Sequence, residues 1–111
     1  MLDEISFRNH VDRALEALKQ SLITAEEDGG FDVEEQNGVL NTVFDSPPGK
    51  FVFTPNAPVR QLWISALSTS FKLDWSEEKS VFVLPKTGED LTALTQRLLR
   101  QHLGDDSITL N

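Results

Sequence analysis

The side chains with the clearest chemical potential in this sequence are carboxylates concentrated near its start. Residues 1–45 contain eleven acids and three bases. Asp12 and Glu16 are four residues apart, so on a helix both carboxylates would lie on one face and repel each other mildly. Carboxylate oxygens suit hard cations such as Fe²⁺, Fe³⁺, Mn²⁺ and Ca²⁺, and an open array without converging histidines predicts weak affinity. A solvated acidic face is the ordinary alternative, and it stays open.

A run of acids continues beyond these two residues, and residues 1–45 as a whole account for the net charge of −8. Residues 46–111 are balanced, with seven acids and seven bases. A field of this sign repels nucleic acid and anionic membranes, and it attracts cations or a basic protein surface. The run lacks the spacing and the closing glutamate of an EF-hand. It consists of Glu26, Glu27, Asp28, Asp32, Glu34 and Glu35.

Conventional catalytic chemistry has no support in the sequence, so we expect a protein that is not an enzyme. The chain has no cysteine, which excludes thiolate metal sites and cysteine nucleophiles. No phosphate-binding, dinucleotide-binding or zinc-protease motif is present. His10 and His102 fall on different predicted helices, where solvated surface positions are expected. An iron oxidase acting through clustered carboxylates remains as an enzyme hypothesis, but the Glu-x-x-His pair of such sites is missing.

The sequence also predicts the compartment. No run of 18 apolar residues is found, and the start of the chain has neither a signal-peptide nor a transit-peptide pattern. The absence of cysteine suits a reducing compartment. We therefore expect a soluble intracellular protein without a membrane partner.

Two amphipathic helices and a run of short strands between them would position these side chains. Residues 26–30 are expected to end the first helix, and Gly104 the last one. Asn37-Gly38 predicts a hairpin turn between alternating strands. The pattern predicts an α+β, two-layer sandwich with both helices on one face of a five- to six-stranded antiparallel sheet. We expect one domain over residues 1–104 and a frayed tail over residues 105–111. The apolar helix positions are Phe7, Val11, Leu15, Leu18, Leu22, Leu91, Leu94, Leu98 and Leu99.

The segment PVRQLWIS, residues 58–65, is predicted to be a strand with a tryptophan on its polar side. Alternation puts Leu62 and Ile64 on one face, and if that face meets the helices, Trp63 points away from them. The ring is then either shielded by its neighbours or a hot spot for binding a protein. In a regular strand Arg60 would lie on the face opposite Trp63, unless Pro58 shifts the start of the strand. The polar rim would be formed by Asn56, Gln61, Ser65 and Lys72.

The order of elements, the NGVL hairpin, the PVRQLWIS segment and the Asp74-Trp75 pair resemble the frataxin family, called CyaY in bacteria. The resemblance implies weak binding of iron, as Fe²⁺ or Fe³⁺, along an acidic ridge on the first helix and first strand. It also implies that the protein regulates iron–sulfur cluster assembly by contacting a cysteine desulfurase (IscS-like) and a cluster scaffold (IscU-like), with Trp63, Gln61 and Lys72 as contacts. A bacterial cytoplasmic protein fits it best.

Two candidate sites follow, and the chain departs from the family pattern at both. Lys19, Gln20, Ile23 and Thr24 interrupt the acidic ridge, and Thr54-Pro55-Asn56 replaces a more basic segment beside the tryptophan. A protein-interaction module of the same fold without meaningful iron binding is therefore the alternative. The expected metal ligands are Glu4, Asp12, Glu16, Glu26, Glu27, Asp28 and Asp32. The expected partner contacts are Asn56, Arg60, Gln61, Trp63, Ser65 and Lys72.

Overall fold

The computed structural model describes the backbone of residues 3–29, 31–45 and 48–110, and the side chains of the same residues except 27–29. None of the helices in these ranges is long and apolar enough to cross a membrane. The elements are α1 (Glu4–Gly29), β1 (Phe31–Gln36), β2 (Val39–Asp45), β3 (Pro48–Asn56), a 3₁₀ turn (Ala57–Val59), β4 (Gln61–Ala66), β5 (Thr69–Ser76), β6 (Val81–Val83) and α2 (Leu91–Leu103).

The six strands form one antiparallel sheet in which neighbours in sequence are neighbours in space, in the order β1-β2-β3-β4-β5-β6. Short turns make this order possible. Asn37 and Gly38 have φ of 54° and 80°, the left-handed values that a two-residue hairpin turn requires. The apolar faces of α1 and α2 and the inner sides of the strands share one core. The predicted two-layer α+β sandwich, with two helices on one face of the sheet, is confirmed.

Helix α1 begins at a side-chain cap. Asp3 Oδ1 accepts a hydrogen bond from the Ser6 backbone N–H at 2.7 Å, and this bond lowers the pKa of the Asp3 carboxyl. The helix continues through the acidic residues to Gly29, within the range where its end was predicted. Every residue of its predicted apolar stripe is buried: Phe7, Val11, Leu15, Leu18 and Leu22.

Helix α2 is also framed by its caps. Asp90 accepts a hydrogen bond from the Ala93 N–H, and Gly104 ends the helix with a φ of 65°. The predicted apolar positions on α2 are all buried. The frayed tail is wrong for residues 105–110, because Ile108 and Leu110 are 8% and 7% exposed and belong to the core. Ile108 and Leu110 alternate with the exposed Thr109, and this pattern could have predicted their burial. The polar residues at the start of the tail drew the prediction away from it.

The strand predicted over residues 58–65 begins later than expected. Ala57–Val59 forms a 3₁₀ turn, Arg60 has a left-handed φ of 54°, and β4 begins only at Gln61. Proline at the second position of the turn fixes a φ that suits a helix and has no N–H for a ladder. Strand parity therefore does not apply to Arg60, and its guanidinium Nη1 donates to the Ala57 carbonyl.

The core contains one polar group whose removal should stabilise the protein. Thr42 is 0% exposed, and its Oγ1 has no hydrogen-bond partner among the described residues. Replacing a buried, unpaired hydroxyl by a methyl group of similar shape removes a desolvation penalty. We expect Thr42→Val to raise the free energy of unfolding by about 1 kcal/mol, as measured by urea denaturation.

Thr95 provides the matched control for this change. It is also 0% exposed, but its Oγ1 donates to the Leu91 carbonyl at 2.8 Å. Thr95→Val removes that bond and should lower the free energy of unfolding by about 0.5–1 kcal/mol. Equal changes in the same direction for both variants would contradict the assignment of an unpaired hydroxyl at Thr42.

Candidate functional site

The candidate surface is the face of the sheet that turns away from both helices. Leu62 and Ile64 are 0% exposed on the inner face, so Trp63 lies on the outer face, as predicted. It is half-buried rather than bare. Sequence reasoning missed the valines that lie on the same face, although their alternation out of phase with the core residues marks them. These half-buried residues are Val39, Val43, Val52, Val81 and Val83.

Trp63 lies in a row of cross-strand neighbours. Thr54 on β3 and Lys72 on β5 are its direct partners in the sheet. The Lys72 ammonium nitrogen Nζ lies 4.9 Å from the centroid of the Trp63 ring, which is a cation–π distance. The ring is therefore covered on one side by a positive charge that remains exposed to solvent.

A hydrogen-bonded chain fixes the orientation of the tryptophan. Trp63 Nε1 donates to Gln61 Oε1 at 2.9 Å, and Gln61 Nε2 donates to Asp74 Oδ1 at 2.9 Å. Because Asp74 accepts only, it determines which end of the Gln61 amide faces the indole. Asp74 was not among the predicted contacts, and its place opposite Gln61 on β5 is what brings it here. The surface thus presents an aromatic ring that is already oriented.

The other predicted contacts are arranged around this row, with one exception. Asn56 lies opposite Gln61, and Ser65 is exposed on the outer face. Arg60 does not extend over the ring, since it is held by the Ala57 carbonyl. After the hydrogen bonds from Ser6, the Arg60 charge is a smaller cause of the lowered pKa of Asp3.

The predicted metal ligands are distributed along α1 and β1 rather than gathered at a point. Glu4 lies 3.7 Å from Arg8, and both are exposed. Asp12 is exposed, and Glu16 accepts a hydrogen bond from Gln20 at 3.3 Å.

Further along the ridge, other groups already occupy part of the carboxylate oxygens. Glu26 Oε2 accepts from the Val33 backbone N–H at 2.9 Å and so satisfies a donor on the free edge of β1. Lys19 pairs with Glu35 at 3.2 Å, which interrupts the negative surface, and Asp32 lies on the outer face of the sheet. The side chains of Glu27 and Asp28 lie outside the described residues.

These positions bear on whether iron would fit. Among the described residues, no group of three histidine or acidic side chains is close enough to hold a metal ion. Asp12 and Glu16 are the exposed carboxylates that share one helix face. Such an arrangement suits weak contact with a hydrated cation by one or two oxygens, and it does not form a closed coordination site.

Both histidines differ from the solvated residues that were predicted. His10 stacks on Trp75 with ring centroids 3.8 Å apart, and His102 packs on Phe44 at 4.3 Å. A Cβ added to Gly49 would lie 2.7 Å from the His102 ring, so any larger residue there would displace the ring from β3. Both imidazoles act as flat packing surfaces.

The chain is similar to known proteins over nearly its whole length. A family model described as a frataxin-like domain matches residues 1–105. The chain is 31% identical over 105 residues to the iron-sulfur cluster assembly protein CyaY of Pseudomonas fluorescens (strain Pf0-1), covering 95% of this chain and 93% of that protein. It is 33% identical over 104 residues to the protein of the same name from Pseudomonas entomophila (strain L48), covering 94% and 92%.

Solved structures share the fold. Frataxin from Psychromonas ingrahamii matches with a TM-score of 0.81 at 12% sequence identity, covering 98% of this chain and 96% of that one. Yeast frataxin matches with a TM-score of 0.70 at 22% identity, covering 88% and 80%.

Proposed function

The chain belongs to the frataxin-like domain family, and from this premise we propose that it regulates iron–sulfur cluster assembly by binding the assembly machinery. The relatives' shared name, iron-sulfur cluster assembly protein CyaY, supports the process. We propose a cysteine desulfurase and its cluster scaffold as the partners, and the bacterial cytoplasm as the compartment. The protein would modulate the rate of cluster formation without catalysing a step of its own.

The observation that carries this proposal is the oriented Trp63 on the open face of the sheet. Trp63 shares this face with half-buried valines, is covered on one side by Lys72 and donates its indole N–H to Gln61. A preoriented aromatic ring within an apolar patch with a polar rim has the composition of a binding hot spot, and little entropy is lost when it binds. We assign the partner contact to Trp63, with Gln61, Lys72, Asn56 and Ser65 at its rim.

The acidic ridge supports a second part of the proposal, which is weak binding of iron as cargo. Its exposed carboxylates also complement a basic surface on the desulfurase. The Lys19–Glu35 pair and the spread of the acids favour the alternative, a module of the same fold that binds the partners without meaningful iron binding.

Cluster formation on a purified desulfurase–scaffold complex tests the function directly. The protein is added at increasing concentration, and the initial rate of cluster formation is followed by visible circular dichroism. We expect a saturable change in rate together with binding of the protein to the complex. If the protein neither binds nor changes the rate at tenfold molar excess, the proposed function is wrong.

Anaerobic titration with Fe²⁺ distinguishes the two alternatives, a protein that binds iron and an interaction module that does not. We expect amide signals near Asp12 and Glu16 to shift with a dissociation constant on the order of 0.1–1 mM, since few oxygen ligands are available. The double variant Asp12→Asn, Glu16→Gln should lose these shifts. Its control is Glu77→Gln, Glu78→Gln, which removes two exposed acids from the β5–β6 turn and should change nothing. A flat wild-type titration at millimolar iron would favour the module.

A further inference from the structure

Strand β5 has an unpaired edge on the side away from β4. It runs over Thr69–Ser76, whereas β6 is only three residues long and pairs with residues 74–76 alone. Among the described residues, no strand pairs with residues 69–73 on that side. This leaves about 17 Å of unpaired strand edge on β5.

The backbone groups on this edge can be identified from the hairpin. Leu67 and Ser68 have φ of 53° and 61°, as a two-residue turn requires, so Thr69 forms a hydrogen-bonded pair with Ala66. Pairs alternate along antiparallel strands, so the N–H and C=O of Ser70 and Lys72 point to the open side.

The chain turns away here for a physical reason. The Leu84 carbonyl accepts from the Thr87 and Gly88 N–H groups at 3.2 and 2.7 Å, closing a turn that contains Pro85. Proline removes a ladder donor, and the turn directs the chain to α2. A groove of about 630 Å³ remains between β5 and this turn, with Phe71 and Leu84 among its apolar lining residues.

The groove is positively charged on a protein whose net charge is −8. Lys72 and Lys86 line it and are exposed. Arg97 also lines it, in a bidentate pair with Glu89 at 2.8 and 2.9 Å. The guanidinium keeps the pKa of Glu89 below its usual range, so this pair is neutral and the two lysines supply the positive charge.

We infer that the open edge of β5 binds an extended acidic segment of a partner protein, which pairs with Ser70 and Lys72 as an added antiparallel strand. Main-chain hydrogen bonds supply the affinity in this mode, and alternate side chains supply the specificity. Apolar residues of the segment meet Phe71 and Leu84, while acidic residues meet Lys72 and Lys86. This inference goes beyond the proposed function, because main-chain groups at the edge supply the binding, although the Lys72 side chain borders both the groove and the face around Trp63.

A blocked heptapeptide of alternating glutamate and valine is a suitable probe, and its lysine–valine counterpart is the charge control. In ¹⁵N-resolved NMR titrations of the full chain, we expect saturable shifts at Ser70, Lys72 and Thr87. Amide exchange at Ser70 and Lys72 should slow about tenfold at saturation. The lysine peptide should cause no saturable shift.

Variants locate the site on the protein. Lys86→Glu should weaken binding about three- to fivefold, whereas Lys79→Glu, an exposed lysine in the β5–β6 turn, should not. Ser70→Pro removes an edge N–H that is not needed inside the sheet and should abolish binding, with Ser70→Ala as its control. Circular dichroism checks that the proline variant is folded. If it is not, the comparison of Lys86→Glu with Lys79→Glu still tests the site.

Several outcomes would overturn the inference. These are equal binding of both peptides, shifts confined to the face around Trp63, and no binding at millimolar peptide. Shifts at Phe31 and Glu35 that grow with protein concentration alone would instead indicate edge pairing between two copies of the chain. Trp63→Ala leaves the main-chain groups of Ser70 and Lys72 in place and should still bind the peptide, so failure here and failure of the proposed function remain distinguishable.

Discussion

Replacing Trp63 by alanine should weaken binding to a desulfurase–scaffold complex by at least about 2 kcal/mol, roughly thirtyfold, while the fold is retained. The change removes the ring that Gln61 and Lys72 hold in place, together with its apolar contact area. Stability should fall by only about 1 kcal/mol, because Trp63 contributes cross-strand contacts on the open face and nothing to the inner core. Biolayer interferometry gives the affinity, and urea denaturation gives the stability.

Val43→Ala is the matched control for this prediction. Val43 is also half-buried on the outer face, but it lies on β2 opposite Asp32 and Lys50, away from the tryptophan row. Its truncation should change the affinity less than twofold. If Val43→Ala weakens binding as much as Trp63→Ala does, the partner contact is spread over the face. Unfolding of Trp63→Ala would show that the ring belongs to the core.

The second large effect is expected at the end of the chain. Replacing Ile108 and Leu110 together by alanine should lower the free energy of unfolding by about 4 kcal/mol. Both side chains belong to the core, and the tail is tied to α2 by its backbone. Arg100 Nε donates to the Ile108 carbonyl at 2.8 Å, and Gln96 Oε1 accepts from the Leu110 N–H at 2.9 Å.

Thr109 lies between these residues and provides the control. It is exposed, so Thr109→Ala should change stability by less than about 0.5 kcal/mol. Urea denaturation followed by circular dichroism measures all three proteins. A loss of less than 1 kcal/mol in the double variant would support the prediction of a frayed tail. An equal loss in Thr109→Ala would indicate that the backbone is distorted and that lost burial is not the cause.

Much of the fold could be predicted because periodicity reports burial directly. The stripe on α1, the four leucines predicted for the stripe on α2 and the inner positions Leu62 and Ile64 are buried as expected. The end of α2 at Gly104 was predicted correctly as well, because it depends on the positive φ that this one glycine can adopt. The errors fall where local and tertiary effects compete. Residues 58–60 are predicted to begin a strand, yet Pro58 imposes a turn.

The candidate surfaces were harder to predict because they depend on which side chains meet across strands. Sequence placed Trp63 on the open face, but the Gln61–Asp74 contact joins residues on two strands through the register of β4 and β5. The acids show the opposite outcome. They are concentrated in the first 45 residues of the sequence, and the fold separates Asp32 from Asp12 while assigning Glu26 to a backbone N–H.

The sequence by itself therefore determined the two-layer architecture, the face of the sheet that remains open and the presence of an acidic first helix, because each follows from local spacing and charge. Only the tertiary structure decided how Trp63 is oriented, which carboxylates stay free, that Ile108 and Leu110 join the core, and that β6 leaves part of β5 unpaired. Those features arise from contacts between residues far apart in the chain, and spacing along one segment carries no information about them.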